Sequence, residues 1–190
     1  MKKVLYFAAL LLCTVMVSCD KDDVEGTAME SMAGQWYCWI DAVDDNGNPI
    51  DGGEDYWGLG EPIIILTYNV ADNTEDEMWV NLMGNGNFAD EYEYAGYPNY
   101  DIRAKVRCDK NALTFSATEA PNFAVTEVVD PMPVTIEGKI LKGAGHQNNG
   151  SVADSIVFYV SYKDDPWYPD DGYAKYKVSG VRYSGLEEND

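Results

Sequence analysis

Histidine is nearly absent from the sequence: His146 is the only one in 190 residues, and none of the four cysteines forms a Cys-x-x-Cys pair. Zinc sites need several cysteine or histidine ligands, so the sequence predicts no metal site and no cofactor. A Gly-x-Ser-x-Gly segment, which holds the nucleophile of many serine hydrolases, is missing as well. His146 lies among Gly and Asn residues that are typical of a turn. Enzyme activity is therefore left open, but no catalytic residue is indicated.

Basic residues are few, with 13 Lys and Arg against 33 Asp and Glu, which gives a formal net charge of −20. Such an acidic surface excludes nucleic acid as a partner and argues against embedding among anionic lipid headgroups. The longest apolar run, residues 4–17, is too short to cross a membrane as a helix. We therefore expect the main body of the chain to lie in water.

The first residues have the layout of a secretory signal. Two lysines precede the apolar run, and the Met-Val-Ser before Cys19 fits the site at which a bacterial lipoprotein precursor is cleaved and acylated. We expect a signal peptide over residues 1–18 and a lipid on Cys19, which would be the only membrane contact. The segment Asp20-Lys21-Asp22-Asp23 is similar to the acidic export tag of surface lipoproteins and implies an outer-membrane protein exposed on the cell surface. A simple signal peptide and an ordinary polar tether are the alternatives.

Two further regions follow. Residues 19–33 show no strong period and are interpreted as the lipidated N-terminus and a flexible tether. Residues 34–190 alternate β-branched and aromatic runs with turn residues, which predicts one domain of strands without a helix. In the clearest strand, Ile102, Ala104 and Val106 alternate with cations, as expected for one buried and one solvated face. The predicted strands are 34–43, 62–70, 76–83, 100–108, 111–118, 132–142, 152–163 and 173–184.

Eight strands with one apolar face each can close into a barrel, which removes both sheet edges. A two-sheet sandwich is the alternative that turn spacing leaves open. We favour the barrel because Gly34-Gln35-Trp36 opens the first strand and Arg182 lies on the last. A guanidinium packed on an indole face would join the two ends of the sheet. The sequence thus predicts an all-β, eight-stranded antiparallel up-and-down barrel with Trp36 and Arg182 as its closing pair.

Three features allow more than one interpretation. Cys38 and Cys108 lie on apolar strand faces, so a disulfide or two buried thiols would fit. Residues 44–48 are rich in oxygen ligands but lack EF-hand spacing, which favours a tight turn over a calcium site. Aromatic residues cluster in two stretches, where they could cap the barrel or contact sugars and partners. These stretches contain Tyr92, Tyr94, Tyr97 and Tyr100, and Trp167 with Tyr168.

The pattern resembles a known family. A Gly-x-Trp on the first strand with an Arg on the last is similar to the lipocalin, or calycin, signature, in which the Arg packs across the Trp at the closed end. The whole looks like the lipid-binding putative hydrolases, a lipocalin-like family of bacterial lipoproteins, over residues 34–186. That resemblance implies a calycin barrel and binding of an apolar ligand. The other segments that carry it are Thr67-Tyr68-Asn69-Val70-Ala71-Asp72-Asn73, Met78-Trp79-Val80, Asp154-Ser155-Ile156 and Ser179-Gly180-Val181-Arg182-Tyr183-Ser184-Gly185.

Two functions of different class follow from these observations. In the first, a surface-displayed lipoprotein binds an apolar or amphipathic, lipid-like molecule inside the barrel. In the second, the barrel is packed and the protein is a non-catalytic interaction or glycan-binding accessory protein that acts through aromatic loops. Hydrolase activity is a third and weaker hypothesis. Strand alternation gives the interior ligand-binding candidates as Cys38, Ile102, Ala104, Val106, Val134, Ile136, Phe158 and Val160.

Overall fold

The structure is a computed structural model that describes residues 26–50, 62–82, 100–124, 130–168 and 173–186. Each strand pairs antiparallel with its neighbours in sequence, and the last pairs with the first, so the sheet closes into an up-and-down barrel. The predicted all-β barrel is confirmed, and the sandwich is excluded. The strands are β1 (Gly34–Ala42), β2 (Ile63–Asn69), β3 (Glu77–Leu82), β4 (Ile102–Asp109), β5 (Thr114–Ala120), β6 (Val134–His146), β7 (Val152–Tyr162) and β8 (Tyr176–Arg182).

Side-chain alternation along the strands builds a single core inside the barrel. On β4, Ile102, Ala104 and Val106 are buried, whereas Arg103 and Lys105 are exposed. Complete burial of a large aliphatic side chain contributes roughly 1.5–3 kcal/mol, so the shared interior is the main source of stability. In the described ranges, no helix is long and apolar enough to cross a membrane.

The barrel has two different ends. At the closed end, β1 begins and β8 ends, and short connections join β2 to β3, β4 to β5 and β6 to β7. At the opposite end, which we call the mouth, Ala42 pairs with Tyr176. Longer connections join β1 to β2, β3 to β4, β5 to β6 and β7 to β8 there.

A turn before β1 plugs the closed end. The side chains of Met29 and Met32 are 0% exposed, and the amides of Met32 and Ala33 both donate to Met29 O, at 2.8 and 2.7 Å. Sequence reasoning assigned residues 19–33 to the lipidated N-terminus and a flexible tether, and within that segment the side chains of Met29 and Met32 belong to the core. Two methionines three residues apart bring their side chains to one side of a tight turn, which is why this short segment can be buried.

Candidate ligand-binding site

All eight interior candidates face the inside of the barrel. Each is at most 2% exposed, so strand alternation identified buried positions correctly. The strand register divides them by height. Ile102 and Val134 are the first residues of their strands at the mouth, and Val160 lies close to the mouth, where it pairs with Ile136 and Tyr176.

The middle of the barrel is filled by two aromatic rings. Phe115 on β5 and Phe158 on β7 have ring centroids 6.0 Å apart, and Gly138 lies between them on β6. A Cβ atom added to Gly138 would lie 2.4 Å from Phe115 and 2.4 Å from Phe158, closer than packed atoms approach. Because these side chains are already in contact, the middle of the barrel has no room for a ligand beside Gly138.

Tyrosines from separate segments meet at the mouth. The ring of Tyr100 is 4.9 Å from that of Tyr162 and 5.8 Å from that of Tyr176, measured between centroids. Trp167 from the β7–β8 connection approaches Tyr100 edge-on at 6.4 Å. Tyr100 and Tyr176 are 8% and 2% exposed, whereas Tyr168 is 53% exposed. The described part of the two predicted aromatic clusters therefore mostly covers the core, while Tyr92, Tyr94 and Tyr97 lie outside the described residues.

Hydrogen bonds hold these rings in place. The hydroxyl of Tyr100 donates to the carboxylate of Asp165, 3.0 Å from Oδ2 and 3.1 Å from Oδ1. The hydroxyl of Tyr162 donates to Tyr100 O at 2.6 Å. Burial, and then the negative charges of neighbouring groups, raise the pKa of Tyr100 far above its usual value, so this phenol stays protonated. The mouth thus combines apolar ring surface with a fixed carboxylate and hydroxyl groups.

The closed end is sealed by Trp36 and Arg182. The guanidinium carbon of Arg182 lies 4.3 Å from the indole centroid, and Trp36 Nε1 donates to Thr67 Oγ1 at 2.9 Å. Arg182 also donates to Ala33 O. A Cβ on Gly34 would lie 2.5 Å from an Arg182 nitrogen, which explains why glycine precedes the tryptophan by two residues. This end therefore offers no entry for a ligand, and the two residues act in closure.

The features considered for chemistry do not assemble into a catalytic site within the described ranges. Gly145 is buried and a Cβ there would lie 2.6 Å from Ser155 Oγ, whereas His146, the next residue along β6, is exposed on the opposite face. No group of three potential metal ligands comes together in the described residues. The carboxylate of Asp44 instead accepts from the amides of Asn46 and Asn48, at 2.9 and 2.8 Å, as expected for a tight turn.

The two cysteines of the barrel are free thiols. Cys38 faces the interior, and burial raises its pKa strongly. Burial also raises the pKa of Cys108 to about 12. The disulfide alternative is wrong because both thiols are free, and burial favours the protonated form of each. Cys19 lies outside the described residues.

Sequence reasoning missed several residues that shape the site. Phe115 was not among the interior candidates, although its strand contains an apolar position flanked by polar ones. Tyr100, Tyr162 and Tyr176 were not recognised as one cluster, because only the barrel register brings their segments together. Asp165 accepts the hydrogen bond of Tyr100 only because the fold brings the two residues together.

Comparison with known proteins gives one family. The family described as lipid-binding putative hydrolase has a model that matches residues 21–187. No curated protein matches the sequence.

Proposed function

The chain belongs to the family of lipid-binding putative hydrolases, and we propose that its barrel binds one apolar or amphipathic, lipid-like molecule through the mouth. The observation that carries this proposal is the contrast between the two ends. Trp36 and Arg182 seal one end, and the other end has an apolar interior below a rim of tyrosines. A mostly apolar site with a few convergent polar groups is typical of binding sites for such molecules.

The packed side chains in the middle of the barrel limit how deeply a ligand can enter. Because Phe115, Gly138 and Phe158 occupy the centre, the apolar part of the ligand would contact Ile102 and Val160 near the mouth. Its polar part would then reach the rim, where tyrosine hydroxyls and Asp165 are already positioned by hydrogen bonds. This arrangement favours a short or bent apolar chain over one that runs the length of the barrel.

We further propose that the protein is an outer-membrane lipoprotein exposed on the cell surface and attached through an acylated Cys19. The support is the sequence pattern around Cys19 and the segment Asp20-Lys21-Asp22-Asp23 that follows it. A single acyl chain gives only marginal membrane attachment, so stable anchoring requires the multiple acylation of a lipoprotein N-terminus. Cys19→Ser should move the protein from the membrane fraction to the soluble fraction. Retention in the membrane fraction would contradict acylation at this residue.

Native mass spectrometry tests the ligand proposal directly. The chain from Asp20 to Asp190 contains all eight strands and the Met29–Met32 plug, so it retains the complete described body. We expect this chain, recovered gently from cells, to carry a bound mass that is lost on denaturation and is extracted by organic solvent. A water-soluble bound mass, or none in any preparation, would contradict the proposal.

A blocking variant locates the site. Val160→Phe adds bulk at the mouth, whereas Val157→Phe adds the same bulk to the outer face of the same strand. Overpacking typically costs about 1–3 kcal/mol, so both variants need an unfolding curve to show that they remain folded. We expect loss of the bound mass only in Val160→Phe. Equal retention in both variants would place the ligand elsewhere.

The filled middle also favours a second function, that of a packed barrel acting as a non-catalytic interaction protein. In that case the contact of Phe115 with Phe158 would be one part of a continuous core. A chain that remains unliganded when it is isolated from its own cells, and that gains no mass from added fatty acids, supports this alternative. The same result would count against the lipid-like ligand.

A further inference from the structure

Ten outward side chains of β2, β3 and β4 form a surface that we call the β2–β4 wall. Two are acidic and three are cationic, although acids greatly outnumber cations in the whole sequence. The charge balance of the wall is therefore opposite in sign to that of the whole molecule. The members are Ile64, Leu66, Tyr68, Glu77, Trp79, Asn81, Arg103, Lys105, Arg107 and Asp109.

Two of these cations have no acidic partner within the described part of the chain. Arg107 pairs with Asp76 at 2.8 Å and with Glu77 at 3.2 Å. Arg103 and Lys105 are exposed and lie instead over the ring of Trp79, 5.7 and 5.3 Å from its centroid. Among the described residues, Arg103 and Lys105 therefore leave positive charge available to a partner.

Apolar groups surround this charge. Tyr68 stacks beside Trp79 at 6.5 Å, and Phe123 meets Trp79 edge-on at 5.8 Å. Phe123 is 53% exposed and Leu66 is 36% exposed. The backbone of Phe123, on the β5–β6 connection, is tied to β4, because its amide donates to Arg103 O at 2.8 Å. The wall and the adjoining Phe123 thus present an exposed phenyl ring beside an indole and two cations that have no acidic partner among the described residues.

We propose that the β2–β4 wall is the face by which the barrel lies on a zwitterionic phospholipid surface. Arg103 and Lys105 bind headgroup phosphates, and Phe123 and Leu66 enter the boundary between headgroups and acyl chains. Aromatic residues with cationic neighbours are the side chains that favour this boundary. Leu66 and Phe123 cannot hydrogen-bond, so the wall fits acyl chains better than sugar hydroxyls.

The negative net charge of the protein favours a zwitterionic membrane surface over an anionic one. An anionic surface would repel the acidic remainder of the molecule, and this repulsion extends over a Debye length of about 8–10 Å. A zwitterionic headgroup has no net charge but still offers a phosphate at contact distance. The sequence predicted membrane contact only through the acylated N-terminus, and the β2–β4 wall adds a second contact. This contact does not depend on a ligand inside the barrel.

Flotation with phosphatidylcholine vesicles tests the proposal on the chain from Asp20 to Asp190, which lacks the proposed lipid anchor. We expect the chain to float with the vesicles. Phe123→Ser should weaken binding roughly tenfold, because the ring no longer enters the apolar boundary. Tyr168→Ser is the matched control, since Tyr168 is also 53% exposed but lies on the β7–β8 connection. The control should bind like the parent chain.

A second pair of variants tests the cations. Arg103→Gln with Lys105→Gln should weaken flotation by about fivefold or more, because the hydrogen bonds to headgroup phosphates are lost. Lys139→Gln with Lys177→Gln removes the same charge from β6 and β8, away from the wall, and should change flotation by less than about twofold. Failure of the parent chain to float, or equal losses in both pairs, overturns the proposal.

Two other results would also overturn it. One is binding of the parent chain to heparin, but not to vesicles, in a way that requires Arg103 and Lys105. The other is a dimer in sedimentation experiments that Phe123→Ser dissociates. The first would make the wall a polyanion site, and the second would make it an interface between two copies. All variants are checked by circular dichroism and thermal unfolding, so loss of folding cannot be mistaken for loss of binding.

Discussion

The guanidinium of Arg182 lies 4.3 Å from the centre of the Trp36 indole, directly across the pairing of β8 with β1. The two residues are partners in the strand register, so the contact joins the last strand to the first. Arg182 Nε is also 3.5 Å from Asp154 Oδ2 on β7. One side chain therefore links the closing seam to the neighbouring strand.

A double-mutant cycle measures this seam. Trp36→Ala should lower the free energy of unfolding by about 3–5 kcal/mol, because the side chain is 0% exposed and fills the closed end. The coupling with Arg182→Ala should be about 0.5–2 kcal/mol, the range of a partly desolvated cation–π contact. Urea unfolding of the four proteins gives the coupling. Additive effects would mean that the two side chains stabilise the barrel independently.

The sequence predicted the strands well and their ends less well. Alternation placed all eight strands, because one face of each is buried and the other is wet. It ended the sixth strand at residue 142, whereas β6 continues to His146 past an irregularity between Leu141 and Gly145. Gly143, at φ 61°, resembles a turn residue in sequence, and only pairing with β7 keeps the chain in the sheet.

The candidate site was less predictable than the strands. The alternation of inward and outward side chains identified buried positions such as Ile102 and Val160, since this pattern can be seen in the sequence of one strand. Alternation could not show that Phe115 and Phe158 meet over Gly138, because that contact depends on the register of three strands. The rim of tyrosines also depends on the register of separate strands. The local sequence pattern thus predicts whether a side chain points inward, whereas the strand register determines the shape of the interior.

The turn before β1 gives a second prediction. Met32→Ala should lower the free energy of unfolding by about 2–3 kcal/mol, because Met32 is fully buried at the closed end. Glu30→Ala is the control on the same turn, and since Glu30 is exposed it should change stability by less than about 0.5 kcal/mol. Urea unfolding of both variants checks this. If Met32→Ala behaved like Glu30→Ala, residues 27–33 would be acting as a tether.

The pH dependence of the free energy of unfolding should reflect the ionisation of the Asp154 carboxylate. Burial acts to raise its pKa, but hydrogen bonds from Lys142 Nζ and the Gly143 amide, with the charges of Lys142 and Arg182, lower it overall. A lowered pKa in the folded state means that the stabilisation is complete well above the unfolded value, about 3.9. It is then lost as the pH falls below that value and through the folded pKa.

Asp154→Asn tests this linkage. The variant should be less stable than the parent chain at neutral pH, because Lys142 and Arg182 lose their carboxylate partner. The difference should shrink as the pH falls below about 4. Urea unfolding across an acid pH series measures it. A stability difference that stays constant over the whole series would show that Asp154 is not linked to folding in this way.

The variant Gly138→Ala tests how tightly the interior is packed, and this packing determines how much space a ligand has. The new Cβ would lie 2.4 Å from both Phe115 and Phe158, and backbone on either side keeps the residue in the sheet. We expect a loss of about 1–3 kcal/mol in the free energy of unfolding, the usual cost of overpacking. Adding Phe115→Leu should recover part of that loss, because it removes one of the two clashing rings. Wild-type stability of Gly138→Ala would show that the rings can move apart, and the middle of the barrel could then open to a longer ligand.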